Sequence, residues 1–125
     1  MKTPYIRIGG EEGVKRLVKH FYDEMETEST VRPLYDLHPK PLDKIRHKFF
    51  EYLSGWMGGP PLFEQKYGHP RLRARHMPYP INSELKDQWM LCMDRALVAT
   101  VKEKALRDQL RQAFDSLAEH MINRK

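Results

Sequence analysis

Apolar residues recur at spacings of three and four along four stretches of the chain, the signature of helices with one buried face. Residues 11–27 place Val14, Leu17, Val18, Phe21 and Met25 on one stripe. Residues 42–57 repeat it with Leu42, Ile45, Phe49, Leu53 and Trp56. Residues 83–100 carry Leu85, Trp89, Cys92, Met93 and Ala96, and residues 104–122 carry Leu106, Leu110, Ala113, Phe114, Leu117 and Met121. No stretch alternates apolar and polar residues over a strand's length. The pattern predicts one all-α domain spanning residues 1–125.

The breaks between these stretches are equally legible. Gly9-Gly10 precedes the first long helix, and Pro33, Pro39 and Pro41 enclose an irregular corner. Gly58-Gly59-Pro60-Pro61 ends the second helix, as glycine past a C-terminus followed by proline should. Asn82 or Ser83 can cap the third helix, with Glu84 favoured in its first turn by the helix dipole. Residues 60–81 read as a long, mostly non-helical stretch. Loops of that length inside a compact domain are usually functional.

Within that stretch, Pro78 and Pro80 forbid any helix from running on beyond His76. A histidine in so stiff a frame, facing an apolar cleft, suits an axial haem ligand: a neutral imidazole with little rotational freedom. A loop histidine hydrogen-bonded to backbone satisfies the same spacing. The other histidines point elsewhere. His20 and His47 fall off the inward stripes, His69 before Pro70 reads as a loop-fixing residue, and His120 reads as surface. No histidine cluster has the converging short spacing of a zinc centre.

Composition narrows the classes. The chain has 125 residues, 40% hydrophobic and 31% charged, long enough for a real core. No run of about 18 apolar residues exists to span a membrane. The N-terminus lacks an apolar h-region, and the single cysteine, Cys92, cannot form an internal disulfide, so a reducing cytoplasm is expected. Cys92 alone also excludes covalent haem attachment through a C-x-x-C-H motif and reads as a small buried hydrophobe. The net charge of +5 raises nucleic-acid binding, but the 22 basic residues are spread along the chain and mixed with 17 acidic ones. Spread charge is a solvated surface, and no nucleic-acid partner is expected. Arg71, Arg73 and Arg75 are the densest basic group and can serve a bound dianion, such as a pair of haem propionates.

Four inward aromatics are unusual for a plain bundle. Tyr22, Tyr35, Trp56 and Trp89 each carry a polar atom that needs a partner when buried. With His76 they outline a pocket with a metal ligand on one side and hydrogen-bond donors on the other.

The motifs Gly9-Gly10, Phe21-Tyr22, Gly58-Gly59-Pro60, Gly68-His69-Pro70, the run from Arg75 to Ile81, and Trp89 together resemble the truncated haemoglobins of the second group, over nearly the whole chain. That resemblance implies a two-on-two helical sandwich holding non-covalent haem b. It implies His76 as the proximal iron ligand, with Arg73 and Arg75 pairing with the propionates. Tyr22 becomes the distal tyrosine, Trp89 the distal tryptophan, and Tyr35 the corner aromatic packing on the haem. Ile45 falls where many globins place a distal histidine, with Phe49 at the next inward turn, so Tyr22 and Trp89 must supply the polar contacts. Phe63 stands where relatives often have tyrosine and offers no hydroxyl. The segment from Asp36 to Pro41 is longer than the family pattern and brings His38 near the corner of the pocket.

The implied function is binding of O2, NO, CO or other small ligands at a five-coordinate or partly six-coordinate iron, including oxygen transport. A nitric oxide dioxygenase or peroxidase-like enzyme using Tyr22 and Trp89 is the alternative, and a reductase partner is expected in either case. The expected assembly is a monomer or weak dimer. In the ferric protein Tyr22, Tyr35 or His38 is expected to reach the sixth site.

Overall fold

The computed structural model describes residues 2–124; Met1 and Lys125, the two ends of the expected domain, lie outside the described residues. The described residues form eight α-helices and one 3₁₀ turn, with no strand. In chain order these are α1 (Pro4–Ile8), α2 (Gly10–Thr27), the 3₁₀ turn (Ser29–Val31), α3 (Arg32–Asp36), α4 (Asp43–Trp56), α5 (Leu62–Tyr67), α6 (Leu72–His76), α7 (Ser83–Thr100) and α8 (Lys104–Met121). The four long helices agree with the periodicity to within a residue or so at each end.

The short helices were not legible as period. α5 and α6 occupy much of the stretch 60–81, which corrects its reading as mostly non-helical. The corner between Pro33 and Pro41 likewise begins with a helix, α3, that has proline in its first turn. Each spans less than two turns, too short for a 3.6-residue repeat to register, and is stabilised by tertiary contact rather than propensity. α1 is announced locally instead: Pro4 lies at its start and the Thr3 hydroxyl accepts from Ile6 N at 3.3 Å.

The long helices pack as two on two. α2 lies against both α4 and α7, and α7 pairs with α8. The expected α2 stripe is fully buried, and Tyr22 is buried with it. Ion pairs flank this helix on both sides. Arg46 of α4 reaches Asp23 and Glu26 at 2.9 Å each, while Arg95 of α7 reaches Glu24 and Glu28 at 3.1 and 2.6 Å. Such solvent-facing pairs contribute about 1 kcal/mol or less each, so they orient the helices more than they hold them.

α4 presents two inward faces. Phe50, Leu53 and Ser54 are buried in the core, whereas Ile45 and Phe49 from the expected stripe are only half-buried. α4 packs mainly on α2 and α5 and meets α8 at its last residue, Trp56, and the space left beside its Ile45 and Phe49 face is the cavity described below.

α1 crosses α2 at Gly13, where an added Cβ would sit 2.0 Å from the carbonyl oxygen of Ile8. Gly13→Ala should therefore destabilise the protein by roughly 2 kcal/mol, although alanine is the better helix former. Urea unfolding checks this. An unchanged or raised midpoint would show that α1 does not approach so closely.

Candidate functional site

Between α2 and α4 on one side and α7 and α8 on the other lies a cavity of about 330 Å³. Its walls are mostly apolar and aromatic, with Tyr22, Ile45, Phe49, Phe63 and Trp89 around it and His76 entering from α6. The aromatics form one connected group: the Phe21 ring lies 4.9 Å from Tyr22 and 5.1 Å from Trp89, and Phe49 lies 5.9 Å from Tyr22. Trp56 stacks on Phe114 at 4.6 Å and does not line the cavity.

α6 is five residues long and starts from Arg71 in a left-handed conformation, φ 46°. Inside this single turn the His76 Nδ1–H donates to the Leu72 carbonyl at 2.7 Å. That bond places the ring proton on Nδ1 and leaves Nε2 with a bare lone pair. His38 repeats the arrangement across the corner, its Nδ1–H donating to the Leu34 carbonyl at 2.9 Å. α3 is itself anchored on α7, through Leu34 N donating to Gln88 Oε1 at 3.0 Å.

Burial shifts three polar groups on the α2 and α4 side of the cavity, Tyr22, His38 and Tyr52, the last pushed up to about 12. Desolvation pushes the Tyr22 phenol well above its usual value, against the weaker opposing pull of the Arg46 guanidinium, 5.7 Å from the ring centre. Tyr22 thus stays protonated. Desolvation likewise holds the His38 imidazole below its usual value, outweighing its bond to Leu34, and the charge of Lys40 pushes the same way. Elsewhere, burial drives the Cys92 thiol up to about 12, as its role as a small buried hydrophobe requires.

Cations ring this apolar space. Lys48, Arg75 and Lys86 line the cavity. The Arg75 guanidinium lies 5.3 Å from the Phe63 ring centre. Lys86 is paired with Glu119 at 2.7 Å and Asp115 at 3.2 Å. Lys48 and Lys86 were missed in the sequence, yet each lies three residues from a cavity residue on its own helix, Ile45 and Trp89. A same-face search at that spacing finds both.

Two expected site residues stand elsewhere. Arg73 does not line the cavity; its Nη1 donates to the carbonyls of His120 and Ile122 at 2.6 and 3.1 Å, binding the free end of α8. Tyr35 does not line it either. Its ring is held between the cations of Arg32 and Lys40, at 5.1 and 4.2 Å, while Leu34, Leu37 and His38 take the corner of the cavity. Tyr35 therefore does not face the cavity, whereas His38, three residues on, does.

The floor under Phe63 is fixed by a buried carboxylate. Glu51 accepts from the Tyr67 hydroxyl at 3.0 Å and has Lys66 and His47 nitrogens at 3.5 and 3.6 Å, tying α5 to α4. His20 and His120 are exposed, and His69 Nδ1 accepts from Arg71 N at 3.1 Å within the loop. Among the described residues no cluster of three histidine, cysteine or acidic groups is placed to hold a metal.

Because the folded protein resists protonating His38, the unfolded chain binds a proton that the native state refuses. Stability is then fully present above the ordinary value of 6.5 and is lost as pH falls below it. His38→Gln should flatten that decline, as read by urea unfolding between about pH 7.5 and pH 5. Identical slopes in the two proteins would assign the effect to another group.

A family model for bacterial-like globins matches residues 3–123. Group 2 truncated hemoglobin YjbI of Bacillus subtilis (strain 168) is 36% identical over 121 residues, which cover 97% of this chain and 89% of that protein. Among solved structures, the cold-adapted truncated hemoglobin of the Antarctic marine bacterium Pseudoalteromonas haloplanktis TAC125 is similar with a TM-score of 0.98 and 54% identity, covering 99% of this chain and 100% of the other. The group II 2-on-2 hemoglobin of Agrobacterium tumefaciens has a TM-score of 0.97 and 38% identity, covering 100% and 97%.

Proposed function

The chain belongs to the bacterial-like globin family, and on that premise we propose that it binds oxygen and other diatomic ligands at a haem b held in the cavity, with His76 Nε2 as the iron ligand. The observation that carries this reading is the His76 Nδ1–H bond to Leu72, which leaves Nε2 free as a metal ligand and strengthens its basicity. The remaining lining fits the same group. Ile45, Phe49 and Phe63 offer apolar surface to a flat macrocycle, and Lys48, Arg75 and Lys86 offer charge to its carboxylates.

When bound, the haem supplies the iron to which a diatomic ligand attaches. The chain supplies the surroundings. Tyr22, kept protonated by burial, can donate a hydrogen bond to that ligand, and Trp89 brings a second N–H donor from α7. Ile45 contributes neither a donor nor a metal ligand from α4. Phe49 and Phe21 pack around Tyr22 and exclude water from it. Of the groups considered for the ferric sixth site, Tyr22 and His38 face the cavity.

Oxygen binding is favoured over detoxification by the likeness to the truncated oxygen-avid haemoglobin from Bacillus subtilis, 36% identical with a TM-score of 0.87. This reading requires a reductase to keep the iron ferrous. The exposed large apolar residues are few, with Ile6 on α1 and Val98 on α7 apart from the pair Met77 and Tyr79 after α6, which supports a monomer or weak dimer. No helix among the described residues is long and apolar enough to cross a membrane. The unpaired, buried Cys92 supports a reducing compartment such as the cytoplasm.

His76→Ala should abolish stable haem binding, read as loss of the Soret band after gel filtration. Haem retention equal to the parent protein would refute His76 as the ligand. Tyr22→Phe and Trp89→Phe should each speed oxygen dissociation by roughly five- to hundredfold, the effect of removing one buried donor. Stopped-flow dissociation unchanged in both variants would place the polar contacts elsewhere in the cavity.

A further inference from the structure

α6 has no buried residue of its own, and the chain after it contains Pro78 and Pro80, which lack N–H groups. A turn so short does not hold its shape unaided. What holds it comes from the other end of the protein. Asn123, just past α8, donates through Nδ2 to the carbonyls of His76 and Tyr79 at 3.2 and 3.0 Å. Its Oδ1 accepts from Ile81 N at 3.0 Å. The backbone N–H groups of Asn123 and Arg124 both donate to the Ile81 carbonyl at 2.9 Å. From the opposite side, Arg73 grips the carbonyls of His120 and Ile122.

We propose that Asn123 is a positioning residue for His76: its side-chain amide clasps the peptide that carries the imidazole and sets the ring's height and tilt toward the iron. Three features support this. The clasped carbonyl belongs to His76 itself, so movement there moves the ring. Asn123 places both donor hydrogens and its acceptor on residues 76–81, the acceptor shared with Arg124 Nη1 at 3.3 Å, which matches an amide and not a carboxylate or hydroxyl. Arg73 and Asn123 hold the segment at both ends from one tail, so the imidazole lies between two anchors to the same rigid helix, α8. The Leu72 bond then fixes the ring's rotation, and the tail fixes where the whole turn stands.

The inference rests on the haem reading and is tested on the haem-loaded ferrous protein without added ligand. Its iron–histidine stretching band in resonance Raman reports on that bond alone. Asn123→Ala should shift and broaden the band, and should speed haem transfer to apomyoglobin roughly tenfold, the usual scale for loss of an outer-shell partner. Asn123→Asp keeps the acceptor for Ile81 N and loses both donors, so it should change the band in the same direction. An unchanged band and transfer rate in Asn123→Asp would overturn the proposal. A fall in melting temperature in Asn123→Ala with the band and transfer rate unchanged would also overturn it, because that marks a purely structural contact. Parent protein that shows no Soret band after loading with haem would refute the haem reading, and the positioning role with it.

Discussion

A single backbone carbonyl governs the chemistry of the cavity. Leu72 O accepts the Nδ1 proton of His76 one helical turn later, at 2.7 Å, and thereby decides which ring nitrogen faces the cavity without a proton. An imidazole free to exchange tautomers would present a metal with an N–H for part of the time and with a lone pair only for the rest. Within α6 the choice is made before any cofactor arrives. Leu72 and His76 both line the cavity, so the turn that fixes the tautomer also closes the wall.

The rest of the fold serves to keep that turn beside a dry space. α2 is the spine: it buries one face against α4 and α7 and holds Phe21 and Tyr22 side by side at the cavity edge. α4 meets α8 only at its far end, through Trp56 on Phe114; the rest of it turns toward α5, held there by Glu51, and leaves its Ile45 and Phe49 face open. The buried carboxylate, with a phenol, an ammonium and an imidazole around it, meets the usual condition for keeping such a group out of water.

Electrostatics divides the site into two zones. Inside, burial keeps Tyr22 protonated and His38 neutral, so the interior offers dipoles and lone pairs without net charge. At the edge stand the basic side chains of Lys48, Arg75 and Lys86, with Lys86 stabilised in its charged form chiefly by its hydrogen bond to Glu119. A ligand that is apolar in its body and anionic at one margin matches this division. A small neutral gas can approach a bound metal across the inner zone without meeting a charge.

The sequence by itself determined the four long helices, because each repeats its apolar face often enough for the period to stand out. It also determined the stop at Gly58-Gly59-Pro60 and the frame of prolines around His76, since these are properties of single residues. Asn82 was legible as a cap for the same reason, its Oδ1 accepting from Leu85 N three residues on. His76, Tyr22, Ile45, Phe49, Phe63, Arg75 and Trp89, all singled out from the sequence, line one cavity. The tertiary structure decided the rest. Tyr35 and His38 are three residues apart in one turn, and only packing against α7 determines which faces inward. Arg73 and Arg75 alternate in sequence, but one meets the frayed carbonyls of α8 and the other the cavity. Asn123 carries no local signal, because its partners lie more than forty residues away and its role exists only where the end of α8 meets α6. Period and propensity act over a few residues, and a site assembled from distant ones is set by how the helices meet.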